Sequence, residues 1–189
     1  MPRTKKFEID IVLDRAIEVF NTNGFFGSSI AFLVDAMEIN RASIYDTFGG
    51  KDGLFIECLN RYISLNQPDP GQGTAPERVK QVLETVLKQA FSNSGSLILK
   101  ASQETAPLNE DIEALVKAHY SSLESTFGNV LQEGVAKQEL HTSINPSILA
   151  RYFTGIAIAI EAGAVADSGL GQSRKKAKEM IETALEILR

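Results

Sequence analysis

The stretch from Ser28 to Lys51, SSIAFLVDAMEINRASIYDTFGGK, decides the fold, because a short helix, a tight corner and a second helix fit it without a gap. Ile30, Leu33, Val34 and Met37 recur at three- and four-residue steps and form one apolar stripe. Ser28 and Ser29 can cap the start of that helix. Glu38-Ile39-Asn40 breaks the stripe, and Asn40 is a good N-cap for a second helix in which Ile44 and Phe48, four residues apart, point inward. Arg41, Ala42, Ser43, Tyr45 and Thr47 are left on the outside. This is a helix-turn-helix pattern, and such a motif sets the N-terminal residues of its second helix against base edges in the major groove. Arg41 and Ser43 are therefore the expected base readers.

Working outward, Ile9, Leu13, Ala16 and Phe20 predict the inward stripe of a preceding helix from Phe7 to Asn23, widened by Val12, Ile17 and Val19 and stopped at Asn23-Gly24. Asp10, Asp14 and Glu18 fall on its outer side. Leu54, Phe55, Cys58, Leu59 and Tyr62 give a following helix its stripe, with Cys58 read as a small buried apolar group rather than a reactive thiol. NQPDPGQG, residues 66–73, forbids helix continuation and marks a domain boundary. The expected division is a DNA-binding domain over 1–65 and a helical domain over 74–189.

The N-terminal third resembles the TetR/AcrR family of transcriptional regulators. The residues that carry the resemblance are Gly24-Phe25, the Ser28-Ser29 cap, Ile44-Tyr45-Asp46-Thr47-Phe48 and Lys51. The resemblance implies an all-α protein with an N-terminal helix-turn-helix domain and a C-terminal helical domain for dimerisation and effector binding, most often a repressor. It also implies that Tyr45 and Thr47 meet the DNA backbone and that Lys51 meets a phosphate as a point charge. The full DNA-binding set is then Ser28, Arg41, Ala42, Ser43, Tyr45, Thr47 and Lys51. Three departures stand out. Glu38 occupies the family's corner glycine, which predicts strain if the backbone keeps a positive φ there. Asp46-Thr47 replaces the usual aromatic or histidine pair, placing a carboxylate near phosphates. Ala31 and Phe32 stand where the family has polar residues, so one backbone contact is expected to be missing.

The rest of the chain reads as helices. Thr74 and Glu77 have capping-box spacing ahead of the stripe Val79, Leu83, Val86, Ala90 and Phe91. Gly95–Glu104 is a shorter apolar helix, and Ile112, Val116, His119, Leu123, Phe127 and Val130 mark a long one over 109–137. From Ser147, Leu149, Tyr152, Phe153, Ile156 and Ile160 form one face, while Ile148, Gly155, Ala159 and Ala162 form another, so the helix should be buried on two sides. One monomer cannot cover both. Gly155, Ala159 and Ala162, with Ile181 and Leu185 of the final helix, are the expected homodimer interface. Gly169-Leu170-Gly171 reads as a turn between helices, lacking the third glycine of a phosphate loop. Phe91, Leu99, Gln103, His119 and Tyr120 are candidates for the effector pocket that the family resemblance implies.

Composition sets the outer limits. A chain of 189 residues with 43% hydrophobic content can bury a full core. One cysteine and two histidines build neither a disulfide nor a zinc site, and no cofactor is implied. The start MPRTKKFEID has no apolar signal region, and the apolar run around Phe153–Ala166 is shorter than a membrane span, so the cytoplasm is the expected compartment. There is no metal-binding His-Glu-x-x-His, nucleophile elbow or Walker loop on which to rest an enzyme. The net charge is −5, and residues 1–64 carry seven Lys/Arg against nine Asp/Glu, a balance of −2. Placement on the arm residues Arg3, Lys5 and Lys6, on Arg41 and on Lys51 must then supply the DNA affinity, with weak, salt-sensitive nonspecific binding. The acidic balance would also suit a helical carrier or partner-binding dimer with no preference for any DNA sequence. The expected partners are operator DNA, a small-molecule effector and a second copy of the chain.

Overall fold

A computed structural model describes residues 9–92, 95–140, 143–166 and 171–188. Among them the secondary structure is entirely helical. Two compact units divide the chain: residues 1–66 with 100–116, and residues 67–99 with 117–189. The proline- and glycine-rich segment at 66–73 thus marks one border, while 100–116 return to the first unit, which the reading of a border at 66–73 alone did not include.

The first unit is built on α1 (Ile9–Gly27), α2 (Ile30–Met37), α3 (Arg41–Phe48) and α4 (Lys51–Leu65). The apolar stripe of α1 buries Val12, Leu13, Ala16, Ile17 and Phe20. Ile9, expected on that stripe, is exposed: it is the first residue of the helix, and the inward row starts one turn later. Leu54, Phe55, Cys58, Leu59 and Tyr62 of α4 are all buried, and the Phe20 and Phe55 rings meet edge-on at 4.8 Å. Such an aromatic pair adds roughly 0.5–1.5 kcal/mol beyond its buried area. Gly53 permits the join of α3 to α4, because a Cβ there would lie 1.8 Å from the Phe48 carbonyl oxygen.

The second unit packs α5 (Ala75–Ser92), α8 (Pro146–Val165) and α9 (Gln172–Leu185) together, with residues 97–99 of α6 (Leu97–Glu104) and 117–136 of α7 (Glu110–Ala136). Its core joins Val79, Leu83 and Leu87 to Leu123, Phe127, Leu149, Phe153, Ile160, Ile181 and Leu185. The α5 start is held as expected: Glu77 accepts from the Thr74 N–H at 2.8 Å and from its hydroxyl at 2.9 Å, and these bonds pull the Glu77 carboxyl below its usual pKa. α8 starts one residue before the expected Ser147, on Pro146, with Asn145 accepting the Ser147 N–H at 2.8 Å. A proline suits that position because its missing N–H is one the helix could not use. By length and composition, 20 residues at a mean hydropathy of 1.5, α8 could cross a membrane, longer than the apolar run read from sequence. Its Leu149, Phe153, Ala157 and Ile160 row is instead buried in the protein's own core. Gly171, in the expected turn before α9, has φ 67°; Gly169 and Leu170 lie outside the described residues.

Candidate nucleic-acid interface

The helix-turn-helix is assembled from caps and one shared core. Ser29 accepts the Phe32 N–H at 3.1 Å and starts α2; Leu33 and Met37 fix its inner face. The corner residue Glu38 adopts the left-handed conformation, φ 54° and ψ 35°, with its N–H on the Asp35 carbonyl. A non-glycine residue there carries strain of about 1–3 kcal/mol. Its carboxylate lies 2.8 Å from Arg15 of α1, so the corner gains an ion pair that glycine could not make. Asn40 then accepts the Ser43 N–H at 2.8 Å and starts α3, as its sequence position predicts, and Gly49 ends that helix at φ 76°.

Ile44 is the one buried residue of α3, which leaves the rest of the helix to present chemistry. Arg41, Ala42, Tyr45 and Thr47 are exposed, and Ser43 is half-buried with its hydroxyl donating to Asn40 Oδ1 at 3.0 Å. The Arg41 guanidinium lies 5.7 Å from the centre of the Tyr45 ring, one turn away, so the ring steers the cation without neutralising it. Lys51, at the start of α4, holds its ammonium 4.2 Å from the centre of the Phe25 ring. Burial lowers its pKa from the usual lysine value, opposed by the Asp52 and Glu104 carboxylates. Ser28 is a correction to the DNA-binding set: it is fully buried and donates to the Gly24 carbonyl at 2.5 Å, so the cap it was expected to share is Ser29's alone. Asp46, on α3 itself, is also exposed. Of the remaining cations in residues 9–66, Arg15 is paired with Glu38, and Arg61 with Asp10 and Asp14 at 2.8 and 2.6 Å. Within residues 9–66 that leaves Arg41 and Lys51. The arm residues Arg3, Lys5 and Lys6, and Phe7, lie outside the described residues.

Two residues of the same unit that sequence reasoning passed over hold the α1 break. At Gly24, φ 71°, the helix interrupts, and a Cβ there would run into the Glu104 carboxylate. Glu104 accepts from the Phe25 N–H at 2.7 Å and the Phe26 N–H at 3.2 Å, while Lys100 donates to the Asn21 carbonyl. Carbonyls left over at a helix end and N–H groups opening the next turn each meet the matching charge. The only sequence signal was a lysine and a glutamate four residues apart.

Comparison with known proteins agrees with this geometry. Residues 12–58 match the model for bacterial regulatory proteins of the tetR family. Those residues are a tetR-type DNA-binding domain. It is 29% identical over 161 residues to an uncharacterized HTH-type transcriptional regulator, YezE, of Bacillus subtilis, covering 80% of this chain and 83% of that protein. It is 26% identical to the HTH-type transcriptional repressor ComR of Escherichia coli, covering 86% and 83%. Among solved structures, a cysteine mutant of the TetR family transcriptional regulator CifR, complexed with 26-base-pair operator DNA, superposes with a TM-score of 0.84. That match is at 27% identity and covers 99% of this chain and 100% of the other.

The second unit places the remaining candidates unevenly. Leu99 is buried, Phe91 is half-buried, and His119 and Tyr120 are partly buried with their rings 5.3 Å apart; burial lowers the histidine's pKa. Gln103 is exposed and belongs to the first unit, so it does not share their interior. Glu161, the charged residue within the apolar run at 153–166, is buried beside Tyr120. Gly155, Ala159 and Ala162 are exposed, as an interface would require before assembly. Ile181 and Leu185 correct the expectation: they are 2% and 7% exposed, because α9 turns its apolar stripe into the core made with α5 and α8.

Proposed function

We propose that the chain is a cytoplasmic, dimeric, sequence-specific DNA-binding regulator that acts as a repressor and lets go of its operator when a small molecule occupies the helical unit. One observation carries this reading: α3 spends a single residue on the core and turns Arg41, Ala42, Tyr45 and Thr47 outward. A helix so sparingly buried is retained for what it touches outside. Support for assembly comes from α8, where Ile148, Tyr152, Gly155, Ala159 and Ala162 make an exposed row at helical spacing opposite the buried one. ComR, which resembles this chain over most of its length, is named a repressor. Two half-sites one helical turn apart require recognition helices about 34–36 Å apart. A ligand that favours a mis-spaced pair by about 5.5 kcal/mol empties the operator.

Fluorescence-polarisation titration of the DNA beside the chain's own gene, against random DNA of equal length, tests the reading. Preference for the first, lost on Arg41→Ala, is the expected result. Equal binding to both would fit a carrier rather than a regulator. For effector response, His119→Phe should blunt ligand-driven release while leaving ligand-free DNA affinity unchanged.

A further inference from the structure

Within the first unit, a short path of contacts runs from Glu104 to the start of α4. α1 breaks at Gly24, φ 71°, and the chain leaving the break has N–H groups that the helix cannot satisfy. Glu104 Oε2 accepts two of them, from Phe25 at 2.7 Å and from Phe26 at 3.2 Å. Hydrogen bonds to an ionised acceptor are roughly twice as strong as neutral ones, so the backbone of Phe25 is fixed on that oxygen. One turn earlier on α6, Lys100 donates to the Asn21 carbonyl on the other side of the break. The Phe25 ring is held as well, its centre 5.1 Å from that of Phe55 and 6.3 Å from that of Phe20, both fully buried. Against this fixed ring lies the Lys51 ammonium, 4.2 Å from its centre. Attraction to the ring keeps the charge and restrains a flexible four-carbon stem, and an ammonium has three N–H donors to turn towards a phosphate. Glu104 also bears on the charge itself: burial lowers the pKa of Lys51, and the carboxylates of Asp52 and then Glu104 oppose that fall.

We propose that Glu104 is a positioning residue for DNA binding: by fixing Phe25 at the α1 break it seats the ring that directs the Lys51 ammonium to a backbone phosphate. This rests on reading Lys51 as a phosphate contact, and it adds the α6 residue that holds that contact in place. Duplex DNA of random sequence is the probe, because a phosphate contact is blind to base order. The full chain and its variants are titrated by fluorescence polarisation over a series of salt concentrations, with Tm measured in parallel. Glu104→Ala should weaken binding about threefold, the worth of one cation–ring contact, and flatten the salt dependence in the same direction as Lys51→Ala. In the double variant it should cost nothing beyond Lys51→Ala alone, since two residues acting through one contact are not additive. Glu104→Gln keeps an oxygen for the Phe25 and Phe26 N–H groups and should bind within about twofold of the parent. Should Glu104→Ala fold poorly, Phe25→Leu, which fills the site without an aromatic face, carries the same expectations for the slope and for the double variant. An affinity loss at the parent's salt slope, or one that adds in full to Lys51→Ala, marks a merely structural residue and overturns the proposal. A Glu104→Gln chain as weak as Glu104→Ala overturns it too. Parent-like binding by Lys51→Ala removes the phosphate contact itself, whereas a weakened Lys51→Ala beside an unaffected Glu104→Ala removes only the positioning role.

Discussion

α3 and α8 use their residues in opposite ways. α3 is eight residues long and commits one, Ile44, to the interior; its shape comes from Asn40 at one end and Gly49 at the other. α8 is 20 residues long and buries eight, among them Phe153 and Glu161. In the first helix, recognition chemistry is nearly independent of folding, so an outward residue can change without loss of stability. In the second, a core face, an exposed apolar row and a buried carboxyl share one cylinder, and few positions can change for only one reason.

The sharpest way to test that contrast is Phe153→Ala, which should cost about 3–5 kcal/mol and lower the urea midpoint accordingly, since a fully buried ring leaves a cavity. A loss under 1 kcal/mol would show that α8 is less committed to the core than its burial states. Ala159→Glu sits on the same helix but in the exposed row. It should leave monomer stability close to the parent's and, by burying an unpaired charge on assembly, cost the dimer roughly 3 kcal/mol or more. Sedimentation velocity reads this directly, and an unaffected dimer would move the interface elsewhere. On α3, Arg41→Ala should lose about 1–3 kcal/mol of operator affinity with no fall in thermal stability. A matching loss of stability would erase the distinction between the two helices. The smallest effect belongs to Lys51→Ala, which should weaken all DNA sequences alike and flatten the salt dependence of binding by about one unit of slope.

The local part of this fold is written in short-range patterns. Asn40 three residues before Ser43, the Leu33 and Met37 pair, and the Leu54 to Tyr62 stripe each act within one or two turns, so spacing alone reveals them. The outward residues of α3 follow from that register, while Ser28 does not: two adjacent serines suit a cap equally by type, and only the fold's choice of which one to bury separates them. Long-range partners leave no such trace. Glu104 meets Phe25 across 79 positions, and Ser96 meets Glu161 across 65. Ile181 and Leu185 also show the limit, since an apolar stripe states that a face will be covered without stating whether by the same chain or by its copy.

The buried thiol of Cys58 has a practical consequence. Its sulfur faces the Leu13 carbonyl at 3.9 Å, and burial drives its pKa upward, so the reactive thiolate is scarce while the first unit stays folded. With one cysteine in 189 residues, a thiol reagent has a single target. The rate at which an aromatic disulfide such as Ellman's reagent is consumed is therefore a stopwatch for the opening of α4 from α1, read without any engineered label. Bound operator should slow it in proportion to how far DNA suppresses that opening.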